Sequence, residues 1–347
     1  MVVVMSPDAT AEDVARVVAR VEGVGGEANV SKGVVRTIIG LVGDIDSFHH
    51  LNLRTLPGVA DVHRISDPYK LVSRQHHPDR STVWVGRPGR QVPIGPETVT
   101  FIAGPCAVES AQQTLEAAQM ARSAGATILR GGAFKPRTSP YAFQGLGVQG
   151  LEILADVREA TGLPIVTEVV DARDVAVVAE YADMLQIGTR NMANFGLLQA
   201  AGEAGKPVLL KRGMTATIEE WLMAAEYIVQ RGNLDVVLCE RGIRTFEPST
   251  RNTLDISAVP VVQATSHLPV IVDPSHAAGR KDLVVPLSRA AIAVGADGVI
   301  VDVHPQPEVA LCDGPQALEG ADLRELAQAV RRFPALVGRT AAQAPVV

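Results

Sequence analysis

The sequence predicts an α/β protein, a (β/α)8 TIM barrel preceded by a small α+β domain. Three observations carry this. The chain has 347 residues, against ~250 for a typical barrel, which leaves room for one small extra domain and not for a second of equal size. Hydrophobic residues make up 47% but aromatic ones only 4%, so the core is built from Val, Leu, Ile and Ala, the side chains that fill barrel interiors. From residue 98 onward, short apolar runs alternate with amphipathic stretches, the strand-then-helix order of a barrel.

The first segment reads strand, helix, strand, helix, strand: Val2 to Met5, a helix from Ala11, Val34 to Val42, a helix around Ile45 to Leu56, then Val59 to Ile65. Val14, Val17, Val18 and Val21 fall at i, i+3, i+4 and i+7 of the first helix, so one face is buried against a sheet. Thr10 is placed to cap its start and Gly23 to end it. The stretch SDPYKLVSRQHHPDR, Ser66 to Arg80, is polar and aperiodic with two prolines, a linker composition. The division is therefore a first domain over 1–70, a linker over 71–81, a barrel over 82–335 and a tail over 336–347.

Within the barrel region, Thr82 to Val85 and Arg90 to Ile94 flank Gly86-Arg87-Pro88-Gly89, a hairpin suited to plug the lower end of the barrel. The eight strands lie in TVTFIAGPC, TILRGGAF, PIVTEVV, MLQIGT, PVLLKR, DVVLCERG, PVIVDPS and GVIVDVH. Helices are expected over Ala111 to Ser123, Gly150 to Ala160, Asp174 to Tyr181, Ile218 to Gln230 and Asp282 to Val294.

A net charge of −6 without a long basic run excludes nucleic acid as the main partner. Three cysteines with no CxxC pair, no signal peptide and no apolar run of membrane length point to a cytoplasmic protein without a membrane role.

Nearly every strand ends in residues that a buried strand does not need. In a barrel these ends converge on one face, so they meet around one cavity. Arg130, Lys135, Arg137, Arg190, Lys211, Arg241 and Arg244 supply more positive charge than one monoanion requires. Buried like charges repel in low dielectric, so an anion is expected among them, and two phosphorylated substrates explain the excess. A second constellation, Cys106, His276, Asp302 or His304, and Asp313, reads as a divalent metal site. Thiolate, imidazole and carboxylate together favour manganese, iron(II), cobalt or zinc over magnesium or calcium. Cys239 sits inside an apolar run and is assigned to the barrel wall.

The motifs GPCAVES, LRGGAFKPRTSPYAFQGLG, TEV, QIGTRNMANF, LLKRGM, CERGIRTFE, DPSHAAG and VDVHPQPEVALCDGPQAL, in that order, resemble DAHP synthases of the type I beta subgroup. The resemblance implies condensation of phosphoenolpyruvate with erythrose 4-phosphate and water, the first step of the shikimate pathway. It implies that Arg130, Lys135, Arg190, Lys211 and Arg241 hold phosphoenolpyruvate, and that Lys135, Pro136, Arg137 and Thr138 reach towards erythrose 4-phosphate. Cys106, His276, the acid of VDVH (Asp302) and Asp313 are the implied metal ligands, manganese first among the candidate ions. Glu168 and Glu240 are acids placed to position or deprotonate the attacking water.

Two departures stand out. The family pattern has Glu where this chain has Asp302, and usually Ser where it has Cys312. A thiol at position 312 is placed to join Cys106 in an oxidised, metal-free form. The N-terminal segment resembles the ferredoxin-like domain that some members use to bind tyrosine or phenylalanine and close over the barrel mouth, and the resemblance implies a homotetramer or dimer. The rival reading within the fold is 3-deoxy-D-manno-octulosonate 8-phosphate synthase, against which KPRTSP favours the four-carbon aldehyde. The same residues would also suit a regulatory partner with a weakened metal site, or a paralogue serving secondary metabolism.

Overall fold

The computed structural model describes the chain except residues 34, 45, 46, 49, 64–67, 138, 346 and 347. It divides into two compact units, Met1–Pro68 and Tyr69–Val347.

The first unit is an antiparallel sheet with a helix across it. Strands β1 (Val2–Met5), β2 (Glu27–Lys32), β3 (Thr37–Val42) and β4 (Val59–His63) lie in the order β2-β3-β1-β4. Helix α1 (Ala11–Glu22) begins with a capping box in which Thr10 Oγ1 accepts the Asp13 N–H at 3.2 Å and Asp13 returns to the Thr10 N–H at 2.9 Å. Val17 and Val21 pack with Val3, Met5, Ile39 and Leu41, as the helical spacing requires. This strand order, with the helix between β1 and β2, is the ferredoxin-like arrangement.

Two details differ from expectation. Strand β2 was not foreseen, because EANVSK is exposed along almost its whole length and lacks alternation. The third strand starts at Thr37, since the chain before it turns back from β2. Between β3 and β4 the described residues include a 3-10 turn at Leu53–Thr55, and residues 45, 46 and 49 of the second helix expected there lie outside the described residues.

In the second unit, a hairpin of β5 (Val83–Val85) and β6 (Val92–Ile94) precedes eight parallel strands: β7 (Thr98–Gly104), β8 (Ile128–Arg130), β9 (Ile165–Val169), β10 (Met184–Ile187), β11 (Val208–Lys211), β12 (Val236–Glu240), β13 (Val270–Val272) and β14 (Gly298–Asp302). Each pairs with the next, and β14 pairs with β7, closing the barrel. Val83, Val85, Val92 and Ile94 are fully buried and pack with Ile102, Ile128, Met184, Leu209, Cys239, Ile271 and Ile300. The hairpin thus plugs the barrel, and Cys239 belongs to its interior.

The segment Tyr69 to Arg80, polar in sequence, is tied to the barrel by specific bonds. The buried Glu226 carboxylate, on the helix Ile218–Val229, accepts the successive backbone N–H groups of Lys70, Leu71 and Val72 at 3.1, 2.9 and 3.0 Å. Arg80 and Arg339 both pair with buried Asp297, fastening the start and the end of this unit together. Among the described residues, no helix is long and apolar enough to cross a membrane.

Candidate active site

The carboxyl ends of the strands open into a cavity of about 700 Å³. Arg130, Lys135, Arg137, Arg190, Lys211, Arg241, Arg244 and Arg251 line it, against two carboxylates, Glu168 and Asp313. That imbalance in a partly buried space selects anions. Among the described residues, buried Arg241 Nη1 has no hydrogen-bond partner, so a guanidinium edge is available to a planar anion such as a carboxylate or phosphate. Burial also pulls the Arg241 pKa down from its ordinary value, although Asp273 works in the other direction.

Backbone turns make room for these side chains. A Cβ on Gly188 would stand 1.9 Å from Glu168 Oε1, and one on Gly132 2.8 Å from Lys135 Cδ. A side chain at either position would displace the charged group, since Glu168 reaches the end of the neighbouring strand β10 at Gly188 and Lys135 folds back over its own loop at Gly132.

Beside the cavity, donor atoms of Cys106, His276, Asp302 and Asp313 lie within 4.8 Å of one another. They come from the ends of β7, β13 and β14 and from the loop after β14. Cys106 Sγ is 3.2 Å from Asp313 Oδ2 and 3.8 Å from His276 Nε2, which is 3.6 Å from Asp302 Oδ2 and 3.7 Å from Asp313 Oδ2. Ligand bonds of ~2.0–2.3 Å place donors about 3.3–3.8 Å apart at near-tetrahedral angles, so these edges fit one small divalent ion. Asp313 takes a left-handed backbone, φ 54°, which is uncommon for any residue but glycine and aims its carboxylate inward. His304 is committed elsewhere: its Nδ1 accepts the Gln306 N–H at 3.0 Å and its Nε2 faces Glu109 at 3.4 Å. Of the two sequence candidates at the end of β14, Asp302 is therefore the one in the cluster.

The charges are mutually arranged. Burial opposes an imidazolium at His276, but Asp273 and Asp302 outweigh it and raise its pKa to about 9. A hydrogen bond with Cys312, and then burial, push the Cys106 thiol up. Burial also works against the Asp313 charge, yet His276 and Arg251 hold its carboxyl well below the usual range. A cation entering the cluster displaces protons from Cys106 and His276. Lys135 ties the two halves together, its Nζ donating to the Cys106 carbonyl at 2.9 Å and lying 3.1 Å from the Cys106 sulfur.

Most of the residues singled out in the sequence meet here. Arg130, Lys135, Pro136, Arg137, Glu168, Arg190, Lys211, Arg241 and His276 line the cavity, and Cys106 and Asp302 lie behind it. Thr138 lies outside the described residues. Glu240 is not brought to the cavity. It is fully buried, with Oε2 accepting from Arg212 at 2.9 Å and Oε1 from the Gly242 N–H at 2.6 Å, because the unforeseen pair Arg212 and Asp255 draws it into the wall. Asp302 is shared: Arg130 and Gln316 both donate to it. Cys312 lies 3.5 Å from Cys106 Sγ and accepts from Arg137 Nη1 at 2.6 Å. Sequence reasoning missed Arg251, which pairs with Asp313 at 3.0 Å, and Gln316. Both sit in polar, aperiodic loops where nothing distinguishes a site residue from a solvated one.

A closed barrel whose mouth joins a cationic cavity to a four-donor cluster defines an enzyme for anionic substrates with a divalent-ion site. Residues 74–337 match the DAHP synthetase I family and residues 1–67 the DAHP synthase ferredoxin-like domain. The chain belongs to that family. It is 51% identical over 338 residues to phospho-2-dehydro-3-deoxyheptonate aldolase of Thermotoga maritima, covering 97% of this chain and 99% of the relative. A crystal structure of the Thermotoga maritima DAHP synthase superposes with a TM-score of 0.89 at 50% identity, covering 98% of each chain. More distant is a 2-dehydro-3-deoxyphosphooctonate aldolase from a Geobacter species, 32% identical and covering 71% of this chain and 95% of its own length.

Proposed function

We propose that the chain condenses phosphoenolpyruvate with D-erythrose 4-phosphate and water to give DAHP and phosphate, the first step of the shikimate pathway. The observation that carries this is one cavity in which cations far outnumber carboxylates, next to a four-donor cluster, in a chain half identical over nearly its whole length to the Thermotoga enzyme.

Arg130, Lys135, Arg190, Lys211 and Arg241 hold the carboxylate and phosphate of phosphoenolpyruvate. Lys135, Pro136 and Arg137 face the sugar phosphate, and the family resemblance assigns Thr138 to the same substrate. Cys106, His276, Asp302 and Asp313 hold the divalent ion, with Mn2+ the favoured occupant ahead of Fe2+, Co2+ or Zn2+. When bound, the ion supplies Lewis acidity that makes an aldehyde carbon more electrophilic. C3 of phosphoenolpyruvate forms the new carbon–carbon bond, leaving positive character at C2. Water adds there, one of its protons going to the former aldehyde oxygen and the other to the departing phosphate as the C2–O bond breaks and the C2 carbonyl forms. Glu168 is the cavity carboxylate available to orient that water, and its place against Gly188 supports the role. The buried cations stabilise phosphate charge throughout and bind the phosphate that is released.

The first unit is proposed to bind tyrosine or phenylalanine as a feedback effector, on the strength of its match to the ferredoxin-like domain of this family. The family also supports a homo-oligomer, tetramer or dimer, and a cytoplasmic location. Comparing erythrose 4-phosphate with arabinose 5-phosphate as the second substrate tests the main reading. Phosphoenolpyruvate loss with the four-carbon sugar is the expected result, and loss only with the five-carbon sugar reassigns the chain to the eight-carbon synthases.

A further inference from the structure

Asp273 touches both halves of the site. Its side chain is 1% exposed, so no bulk water competes for it. Oδ1 accepts the His276 backbone N–H at 2.9 Å. Oδ2 takes the Lys211 ammonium and also lies 2.9 Å from His276 Nδ1. Yet Nδ1 has no aligned hydrogen-bond partner, so lysine and imidazole compete for one carboxylate oxygen. On the far side of the ring, Nε2 faces Cys106, Asp302 and Asp313. Asp273 itself cannot drift, since its N–H donates to the Glu240 carbonyl at 2.8 Å and Pro274 follows it at the start of a short helix.

We propose that Asp273 is a positioning residue that couples the anion pocket to the metal cluster by sharing one oxygen between Lys211 and His276. This rests on the proposed function, in which Lys211 binds phosphoenolpyruvate and His276 is a metal ligand. An anion in the cavity draws the Lys211 ammonium towards itself. The carboxylate charge is then left to His276, which completes its Nδ1–H bond, fixes the tautomer and makes Nε2 a better donor to a cation. Linkage makes the effect reciprocal: a cation on Nε2 strengthens the Nδ1–H bond and frees Lys211 for the anion. Substrate and ion therefore favour each other's binding without touching the same side chain.

The test is the Mn2+ affinity of the full chain, read from the electron paramagnetic resonance signal of free Mn2+, with and without phosphoenolpyruvate and with no aldehyde present. In the natural sequence, phosphoenolpyruvate is expected to tighten Mn2+ binding by about fivefold or more, within the usual range of such couplings. In Asp273→Asn, and in Lys211→Met at phosphoenolpyruvate concentrations that saturate it, the ratio is expected to fall to less than about half its natural value, the remainder being carried by the Arg130–Asp302 and Lys135–Cys106 contacts. A ratio in Asp273→Asn equal to that of the natural sequence overturns the coupling. Should Asp273→Asn fail to fold, Lys211→Met saturated with phosphoenolpyruvate decides instead, and an unchanged ratio there overturns the coupling. A natural protein that turns over both substrates but shows no ratio above one refutes this inference and leaves the proposed function standing. One that neither binds Mn2+ nor turns over refutes both.

Discussion

Replacing Asp302 by Glu tests the reach of one of the four clustered donors. Asp302 is 1% exposed and its two oxygens are taken by Arg130 and Gln316, with Oδ2 3.6 Å from His276 Nε2. One added methylene advances the carboxylate by about one carbon–carbon bond, ~1.5 Å. Both oxygens already have donors, so advancing the carboxylate breaks the Arg130 or the Gln316 bond or crowds His276. Overpacking of this kind costs about 1–3 kcal/mol. The expected result for Asp302→Glu without metal is therefore a lower thermal midpoint by several degrees, at roughly 2–4 °C per kcal/mol for a unit of this size. Mn2+ affinity is expected to change by less than about tenfold, ~1.4 kcal/mol, because the other three donors are unmoved. Differential scanning calorimetry and Mn2+ titration of the two proteins make the comparison. If the natural sequence binds no divalent ion and Asp302→Glu does, the spacing of the four donors does not suit an ion and the reasoning from it is wrong.

Arg241→Ala removes an unpartnered buried guanidinium edge from the cavity. Charge-assisted hydrogen bonds contribute about 1.5–3 kcal/mol, so kcat/KM for phosphoenolpyruvate should fall by roughly 10- to 150-fold, as steady-state kinetics would record. Glu226→Ala leaves three successive N–H groups without an acceptor, at about 1–3 kcal/mol each, and hydrogen exchange at residues 70–72 should accelerate while the barrel strands stay protected. His267 donates from Nε2 to the Leu71 carbonyl at 3.0 Å and accepts from Ser81 at Nδ1, and burial lowers its pKa below the ordinary 6.5. The unfolded chain therefore takes up the extra proton first, so this contribution to stability is present above about pH 6.5 and is lost as the pH falls from there through the lower folded-state value. Thermal midpoints at neutral and mildly acid pH should differ more in the natural sequence than in His267→Gln.

Much of this architecture was legible because its periodicities are clean. All eight barrel strands sit in apolar runs between polar caps, and Thr10 announces its helix through a capping box. The cationic cavity and the four-donor cluster were legible for a different reason: polar residues at buried strand ends seldom have a structural use, so many of them together signal a site. What escaped notice depends on pairing across long sequence distances. Glu240 reads as a site acid until Arg212 and Asp255 are seen to hold it in the wall. Strand β2 carries no hydrophobic alternation because its side chains are exposed. The Ser66 to Arg80 stretch reads as a linker since its anchors, Glu226, His267 and Asp297, lie some 150 to 220 residues away.

Turnover by metal-stripped protein bears most directly on the claim that the cavity and the four-donor cluster work as one site. Phosphate release and phosphoenolpyruvate loss would be followed with erythrose 4-phosphate present, before and after Mn2+ is added back. Equal amounts of phosphate formed and phosphoenolpyruvate consumed, only when both the ion and the aldehyde are present, is the expected result. Undiminished turnover in the stripped protein, or none after any of the four candidate ions is restored, would contradict it.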